Sequence, residues 1–448
     1  MSASGRRARL GLALALVAAA AATAGADPFV AAAVGALSPA DFARDYVVAR
    51  ARLADGRGAP PPEGEAGNAR AVQFGAPELL LYGAPYHAHP PPARLPVRPL
   101  GLVSWRTAAL VWAAGSLLAL GWLAISLLKL AAPEAPPGGT RLALAFGALA
   151  LWPPVLHCLE KGQWSILLAA LLADGLVALT TDRPRRAGVL FGLAASLKMT
   201  PILLLGLLVV RHRRAAVAMA ATIGTAAIAS LAVDGTAPWK AFVGGAARNA
   251  AIWAPWTANT ASLAGAIARL FGAPGPFARP LLAAPALATS LYAAAVGAFL
   301  VLALLALRRP DPARSTLAAW LALPVLANPL GWSHVLVMLL APLVVAFRGA
   351  GAGTVTRHVA WAALIVFSIP RATLSHLAGP VPVDPCRGLV LALPAVAAAA
   401  LFAALLTPAL AQARQPGEAR QPGEARQPGE ARQPGEGVGS GSDSFDRP

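Results

Sequence analysis

Apolar stretches of near-spanning length follow one another along almost the whole chain, separated by short polar connections. Windows at 10–37, 107–131, 142–158, 164–180, 187–198, 201–210, 215–233, 281–307, 316–328, 335–347, 359–370 and 389–410 are dominated by Ala, Leu, Val and Ile. A helix of about 20 apolar residues, rising 1.5 Å each, crosses roughly 30 Å of hydrocarbon with every interior backbone group paired. The pattern therefore predicts an all-α integral membrane protein, a bundle of about 10–12 transmembrane helices over residues 1–410. The windows 187–198 and 201–210 are short and are read as tilted helices or as a re-entrant pair broken at Pro201. The first window follows Arg6, Arg7 and Arg9 and has signal-peptide features, including Ala-Gly-Ala near residue 25. Apolar character resumes after Asp27 and runs to about Leu37, so it is read as an uncleaved span.

Two connections are long, 38–106 and 234–280, whereas the others are short. The tail, 411–448, holds four tandem Ala-Arg-Gln-Pro-Gly-Glu repeats from Ala413 to Glu436 and then a Gly/Ser/Asp-rich end. Such a composition cannot build a core, and a disordered segment is expected.

Composition fits this picture. Charged residues make up 13% of the chain and mean hydropathy is +0.61, against about 25% charged in soluble domains. The net charge of +17 would suggest a nucleic-acid ligand in a soluble protein. Here the basic residues lie in short loops: Lys129/Arg141, Arg183/Arg185/Arg186, Arg211/Arg213/Arg214, Arg308/Arg309/Arg314 and Arg348/Arg357. That is the positive-inside pattern, and nucleic acid is not an expected partner. It places both termini in the cytoplasm of a multi-pass plasma (inner) membrane protein. Both long loops then lie outside, and the connections on that side hold most of the Trp, His, Asn and Gln that precede the tail. The two cysteines, Cys158 and Cys386, show no metal-ligand spacing.

Candidate chemistry gathers on that outer side. Asp41 and Asp45 open the first long loop, and a carboxylate there is a candidate general base, with pairing to Arg44 or Arg50 the plainer alternative. His87 and His89 close the loop before a Pro-Pro-Pro run, and no third metal ligand is evident beside them. His157-Cys-Leu-Glu160-Lys161-Gly162-Gln163-Trp164 forms a polar turn whose amide can both donate and accept. Lys198 is a cation on the face where cations are disfavoured, which points to an anionic partner. The 234–280 loop offers Trp239, Trp253, Trp256, Asn259, Ser262 and Arg269, a set that suits either a sugar ring or an interfacial belt. Asn328-Pro-Leu-Gly-Trp332-Ser-His334 puts an imidazole at the head of a span.

Taken in order, the Asp-Tyr element, the His-Pro-Pro element, Lys-Gly-Gln-Trp-Ser-Ile-Leu-Leu at 161–168, the stretch 187–201 ending Lys-Met-Thr-Pro, Asn-Thr-Ala-Ser-Leu at 259–263 and Asn-Pro-Leu-Gly-Trp-Ser-His at 328–334 resemble glycosyltransferase family 87. The resemblance runs from about 40 to 345. It implies a GT-C fold with a long first extracytoplasmic loop, and a polyprenyl-phosphate sugar, mannose foremost, as donor. It further implies a glycolipid or cell-envelope glycan as acceptor and inverting, metal-independent transfer at the outer face without a cofactor. It puts the base at Asp45, with Asp41 as rival; Lys198, Arg269 and His334 on phosphate; and Gln163, Asn259, Trp332 and His89 among substrate or structural contacts. Val335 stands where the family often has a second His. Two other functions fit a multi-span chain. A secondary transporter would carry midplane ionisable groups, of which Asp174 is the main example. An enzyme resembling O-antigen ligases would take a diphosphate-linked donor.

Overall fold

The computed structural model describes residues 39–56, 64–76, 89–135, 138–244, 260–275, 279–308, 314–348, 353–379 and 383–413. The expected first span at 10–37 and the repeat tail beyond Ala413 lie outside these residues, while residues 411–413, expected to be disordered, end the last helix. The described chain is helical almost throughout. It begins with α1 (Ala40–Asp55) and α2 (Gly64–Gln73) in the first long loop, and continues with α3 (Trp105–Ala131), α4 (Gly139–Ala150), α5 (Pro153–Lys161), α6 (Ser165–Thr180), α7 (Pro184–Leu197), α8 (Leu204–Arg211) and α9 (Arg213–Asp234). The second half comprises α10 (Leu263–Phe271), α11 (Pro285–Ala306), α12 (Arg314–Leu326), α13 (Leu340–Arg348), α14 (Thr354–Ser368), α15 (Arg371–Ala378), the single turn α16 (Pro385–Gly388) and α17 (Leu393–Ala413).

Among the described residues four helical stretches are long and apolar enough to cross a membrane: α3, α9, α11 and Leu389–Leu410. A fifth span results if α4 and α5 count as one, and shorter apolar helices complete the bundle. The outermost helices leave large apolar residues exposed, such as Leu118, Leu144, Val217 and Ile228, as lipid-facing surfaces do. Inner helices α6, α12 and the 333–348 segment are buried along most of their length.

Two expected spans differ in the structure. The window 142–158 bends by 70° between α4 and α5, because Pro153 and Pro154 cannot donate to the preceding turn and instead start a new helix. The window 335–347 opens as a 3-10 stretch, Ser333–Leu339, before becoming α13. Lys198-Met-Thr-Pro201 does break its helix pair: α7 ends at Leu197, and a 3-10 turn, Thr200–Leu203, leads into α8.

The first loop is folded onto the bundle. Phe42 of α1 stacks on Trp105 and Trp112 of α3, with ring centroids 5.7 and 4.4 Å apart, and Tyr46 tilts against Trp105 at 5.2 Å. The Tyr46 hydroxyl donates to the Val103 carbonyl (2.9 Å), as does Arg50 (2.8 Å). Aromatic burial of this size contributes far more than the interfacial solvation a loop helix otherwise relies on. It fixes α1 with one face turned toward the ends of α5, α6 and α7.

Candidate functional site

On α1 the residues 41, 44, 45, 48 and 52 follow helical spacing, so Asp41, Arg44, Asp45 and Arg52 share one stripe. Asp45 is buried at 9% exposure. One of its oxygens meets His89 Nδ1 at 3.1 Å, and the other accepts from Trp164 Nε1 at 3.1 Å. Burial on its own would raise the Asp45 carboxyl. The His89 charge, the hydrogen bonds from His89 and Trp164, and Arg44 outweigh it and hold the group below the ordinary carboxylate value. Asp41 lies one turn earlier and is more open; it accepts from Gln163 Nε2 and faces Arg44 at 3.9 Å.

The α5–α6 turn delivers Gln163 and Trp164 to these carboxylates. It turns on Gly162, whose φ of +67° is left-handed and at whose position a Cβ would stand 2.5 Å from Pro39 Cβ and 2.8 Å from Phe42 Cβ. Glycine is thus required for the turn and for the approach of α1. Trp112 Nε1 donates to the Gly162 carbonyl at 3.0 Å and locks the corner. On the same turn Glu160 accepts from Lys161 (2.6 Å) and His157 (3.3 Å).

Facing this corner are Lys198 and His334. Lys198 is half-buried at the end of α7 and lies close enough to Asp41 and His334 for their charges to interact. His334 is buried, stacks on His157 with centroids 5.6 Å apart, and has no hydrogen bond at Nδ1 among the described residues. It also senses the charges of His89 and Arg371. Trp332, two residues earlier, carries the Arg371 guanidinium over its ring at 4.8 Å.

The structure therefore brings Asp41, Asp45, His89, Gln163, Lys198 and His334 together, with Trp332 joined through Arg371. Arg269 is set further back. It is buried, donates to the Thr260 carbonyl at 3.0 Å and packs against Gly388. Burial, and then Arg371, push it down to about 9. Asn259 lies outside the described residues, as do His87, Trp253 and Trp256. Among the described residues no three His, Cys, Asp or Glu side chains group as metal ligands.

The sequence pattern does not single out Arg371 or Arg94, and shows Trp164 only as the end of a polar turn. Yet Arg371 follows Pro370 directly after an apolar run, the same signal that marks Lys198 at the end of its stretch. Arg94, in the Pro-Pro-Pro-Ala-Arg run, is buried; burial pushes it down to about 10 despite opposing attraction from Asp45.

Asp174, the midplane carboxylate that would suit a coupling-ion site, accepts from Trp122 Nε1 (3.1 Å) and Arg186 (2.7 Å). Ionisable groups instead converge where the helices meet the first loop. The protein is a multi-span helical membrane protein with a polar centre at one end of its bundle. A profile of glycosyltransferase family 87 matches residues 86–329, and the chain belongs to that family of GT-C membrane enzymes. The matched stretch holds His89, Gln163, Lys198 and Arg269, while Asp41, Asp45, Trp332 and His334 flank it. The chain is also similar to a polyprenol-phosphate-mannose-dependent α-(1-2)-phosphatidylinositol pentamannoside mannosyltransferase of Mycolicibacterium smegmatis. The two are 29% identical over 297 residues, which cover 63% of this chain and 67% of the relative. No solved structure matches the chain.

Proposed function

We propose that this glycosyltransferase moves a sugar, mannose foremost, from a polyprenyl-phosphate donor to a glycolipid or cell-envelope glycan at the extracytoplasmic membrane face. The observation that carries the reading is an ionised, doubly clamped Asp45 facing a corner where Lys198 supplies the positive charge and His334 an imidazole beside it. Transfer from a lipid phosphate needs a base to take the acceptor proton and positive charge to receive the departing phosphate. Asp45 is the base. His89 and Trp164 hold its carboxylate ionised and oriented, and the acceptor hydroxyl approaches the lone pairs that those bonds leave free. As the acceptor oxygen forms its bond to the anomeric carbon, the bond from that carbon to the phosphate oxygen breaks, and the acceptor proton passes to Asp45.

Lys198 supplies a compact charge for the phosphate leaving group, with His334 and Arg371 beside it. Gln163, fixed by Asp41, and Trp332, backed by Arg371, offer a hydrogen-bonding amide and an aromatic face of the kind that binds a sugar ring. Asp41 then positions Gln163 and serves as the rival for the base. Attack from the side opposite the leaving group inverts the anomeric centre, and charge from the side chains replaces a divalent metal.

The relative's mannose donor supports mannose here. The test is transfer by purified protein in lipid nanodiscs, supplied in parallel with polyprenyl-monophosphate mannose and a polyprenyl-diphosphate sugar. Turnover with the monophosphate alone supports the reading, whereas turnover with the diphosphate alone replaces it with a polymer-joining reaction.

A further inference from the structure

A second charged group lies further along the α1 stripe, and the transfer chemistry above does not use it. Arg52 follows Asp45 by seven residues, two helical turns and about 10 Å along the axis. It is buried at 6% exposure, and all three of its guanidinium nitrogens are buried without a hydrogen-bond acceptor among the described residues. The nearby carboxylates are committed elsewhere. Asp234 accepts from Arg98 at 2.7 Å, Asp55 accepts from Arg70 at 2.6 Å, and Asp45 gives its oxygens to His89 and Trp164. Arg94 lies between the two ends of the stripe, feeling Asp45 on one side and Arg52 and Asp234 on the other. Arg98 adds a third cation within electrostatic range of Arg52. Arg52, Arg94 and Arg98 thus gather near Asp234, which accepts its hydrogen bond from Arg98.

A buried guanidinium with none of its donors hydrogen-bonded is costly even with carboxylates in electrostatic range, and an apolar side chain of similar volume is usually better tolerated there. Its planar fork of donors matches the oxygens of a phosphate, which two or three such groups can hold with charge-assisted bonds. We propose that Arg52, flanked by Arg94 and Arg98, forms a phosphate-oxyanion site next to the catalytic corner and separate from the Lys198–His334 side. The anion comes either from a lipid headgroup or from free phosphate. If it is a lipid headgroup, the site anchors that lipid about two helical turns from Asp45. Only this last step rests on the transfer reading.

Binding is measured without turnover, so its failure and the failure of the transfer reading can be told apart. Full-length protein in detergent micelles is melted at pH 7 in chloride buffer with increasing inorganic phosphate, short-chain polyprenyl phosphate or short-chain phosphatidylinositol. The wild type, Arg52→Met, Arg52→Lys and Arg185→Met are compared. The expected result is a saturable rise in Tm with at least one phosphate compound. Arg52→Met should melt at or above the wild type without ligand, yet need at least tenfold more ligand for half its shift. Arg52→Lys should fall between, and Arg185→Met, at an exposed position at the start of α7, should respond as the wild type does. A response to inorganic phosphate assigns a free-anion site, and a response only to polyprenyl phosphate or only to phosphatidylinositol assigns the headgroup. The proposal is overturned if no phosphate compound shifts the wild type, if Arg52→Met responds like the wild type, or if Arg52→Met simply loses stability while keeping its response.

Discussion

At the scale of single residues, the proposed base Asp45 is kept charged by its neighbours, not by solvent. Asp45→Asn keeps the shape and removes the proton acceptor, so transfer should fall by roughly 10²–10⁴ while the protein still inserts. Asp41→Asn disturbs Gln163 and should cost less; a larger loss at Asp41 than at Asp45 would exchange their roles. The pH dependence has a definite sign. The Asp45 carboxyl is depressed in the folded protein. Its ionised form therefore contributes stability that is fully present above the unfolded-state value of about 3.9 and is lost as pH falls through the lower folded value. Melting curves of wild type and Asp45→Asn should still be separated at about pH 5, and the gap should close in more acidic buffer. A gap that closes already near pH 6 would contradict the clamp. Asp45, His89, Gln163, Lys198 and His334 could each be picked out from the sequence as polar groups on one side of the membrane. Their pairing could not: Asp45 lies 44 residues from His89 and 119 from Trp164, separations that no local pattern encodes.

At the scale of elements, the corner between α5 and α6 decides whether α1 can reach the bundle. Gly162→Ala would place a methyl group against Pro39 and Phe42 and force a left-handed φ on a residue with a Cβ. The expected cost is about 1–3 kcal/mol, read as a lower Tm. Transfer should fall with it, because Gln163 and Trp164 lose register with Asp41 and Asp45. A Gly162→Ala protein with unchanged melting and full activity would show that α1 docks elsewhere. The glycine was legible only as a turn residue, since the second constraint comes from a helix more than a hundred residues away in sequence. Hydropathy located the spans but could not see the 70° bend at Pro153 and Pro154, because apolar character continues across it. Nor did it distinguish α1 from a solvated loop. Aromatic stacking on α3, rather than the length of an apolar run, holds that helix down.

At the scale of the whole molecule, chain direction sorts the charges. Helix α6 starts at the site and ends before Arg183, and α7 returns from Pro184 to Lys198. Helix α12 runs from Arg314 toward Asn328, the 333–348 segment runs from His334 to Arg348, and α14 climbs from Thr354 toward Arg371. The short arginine-rich loops thus fall at the ends opposite the carboxylates, whereas the first long loop carries arginines of its own beside them. Cysteines placed at the exposed positions Leu102 and Arg185 should react with a membrane-impermeant maleimide from opposite sides, Leu102→Cys in intact cells and Arg185→Cys only in inverted vesicles. The reverse pattern would put the site in the cytoplasm. Metal independence is also open to test: a chelator should leave the transfer rate unchanged, and a rate restored by added divalent cation would overturn the charge-only account of the leaving group.

The central claim is that Asp45 takes the acceptor proton during transfer from a lipid-phosphate sugar. Its most direct test is single-turnover transfer from polyprenyl-phosphate mannose in nanodiscs, with wild type and Asp45→Asn at equal donor occupancy. The expected result is normal donor binding by the variant with product formation slowed at least a hundredfold. Product formed by Asp45→Asn at the wild-type rate would contradict it.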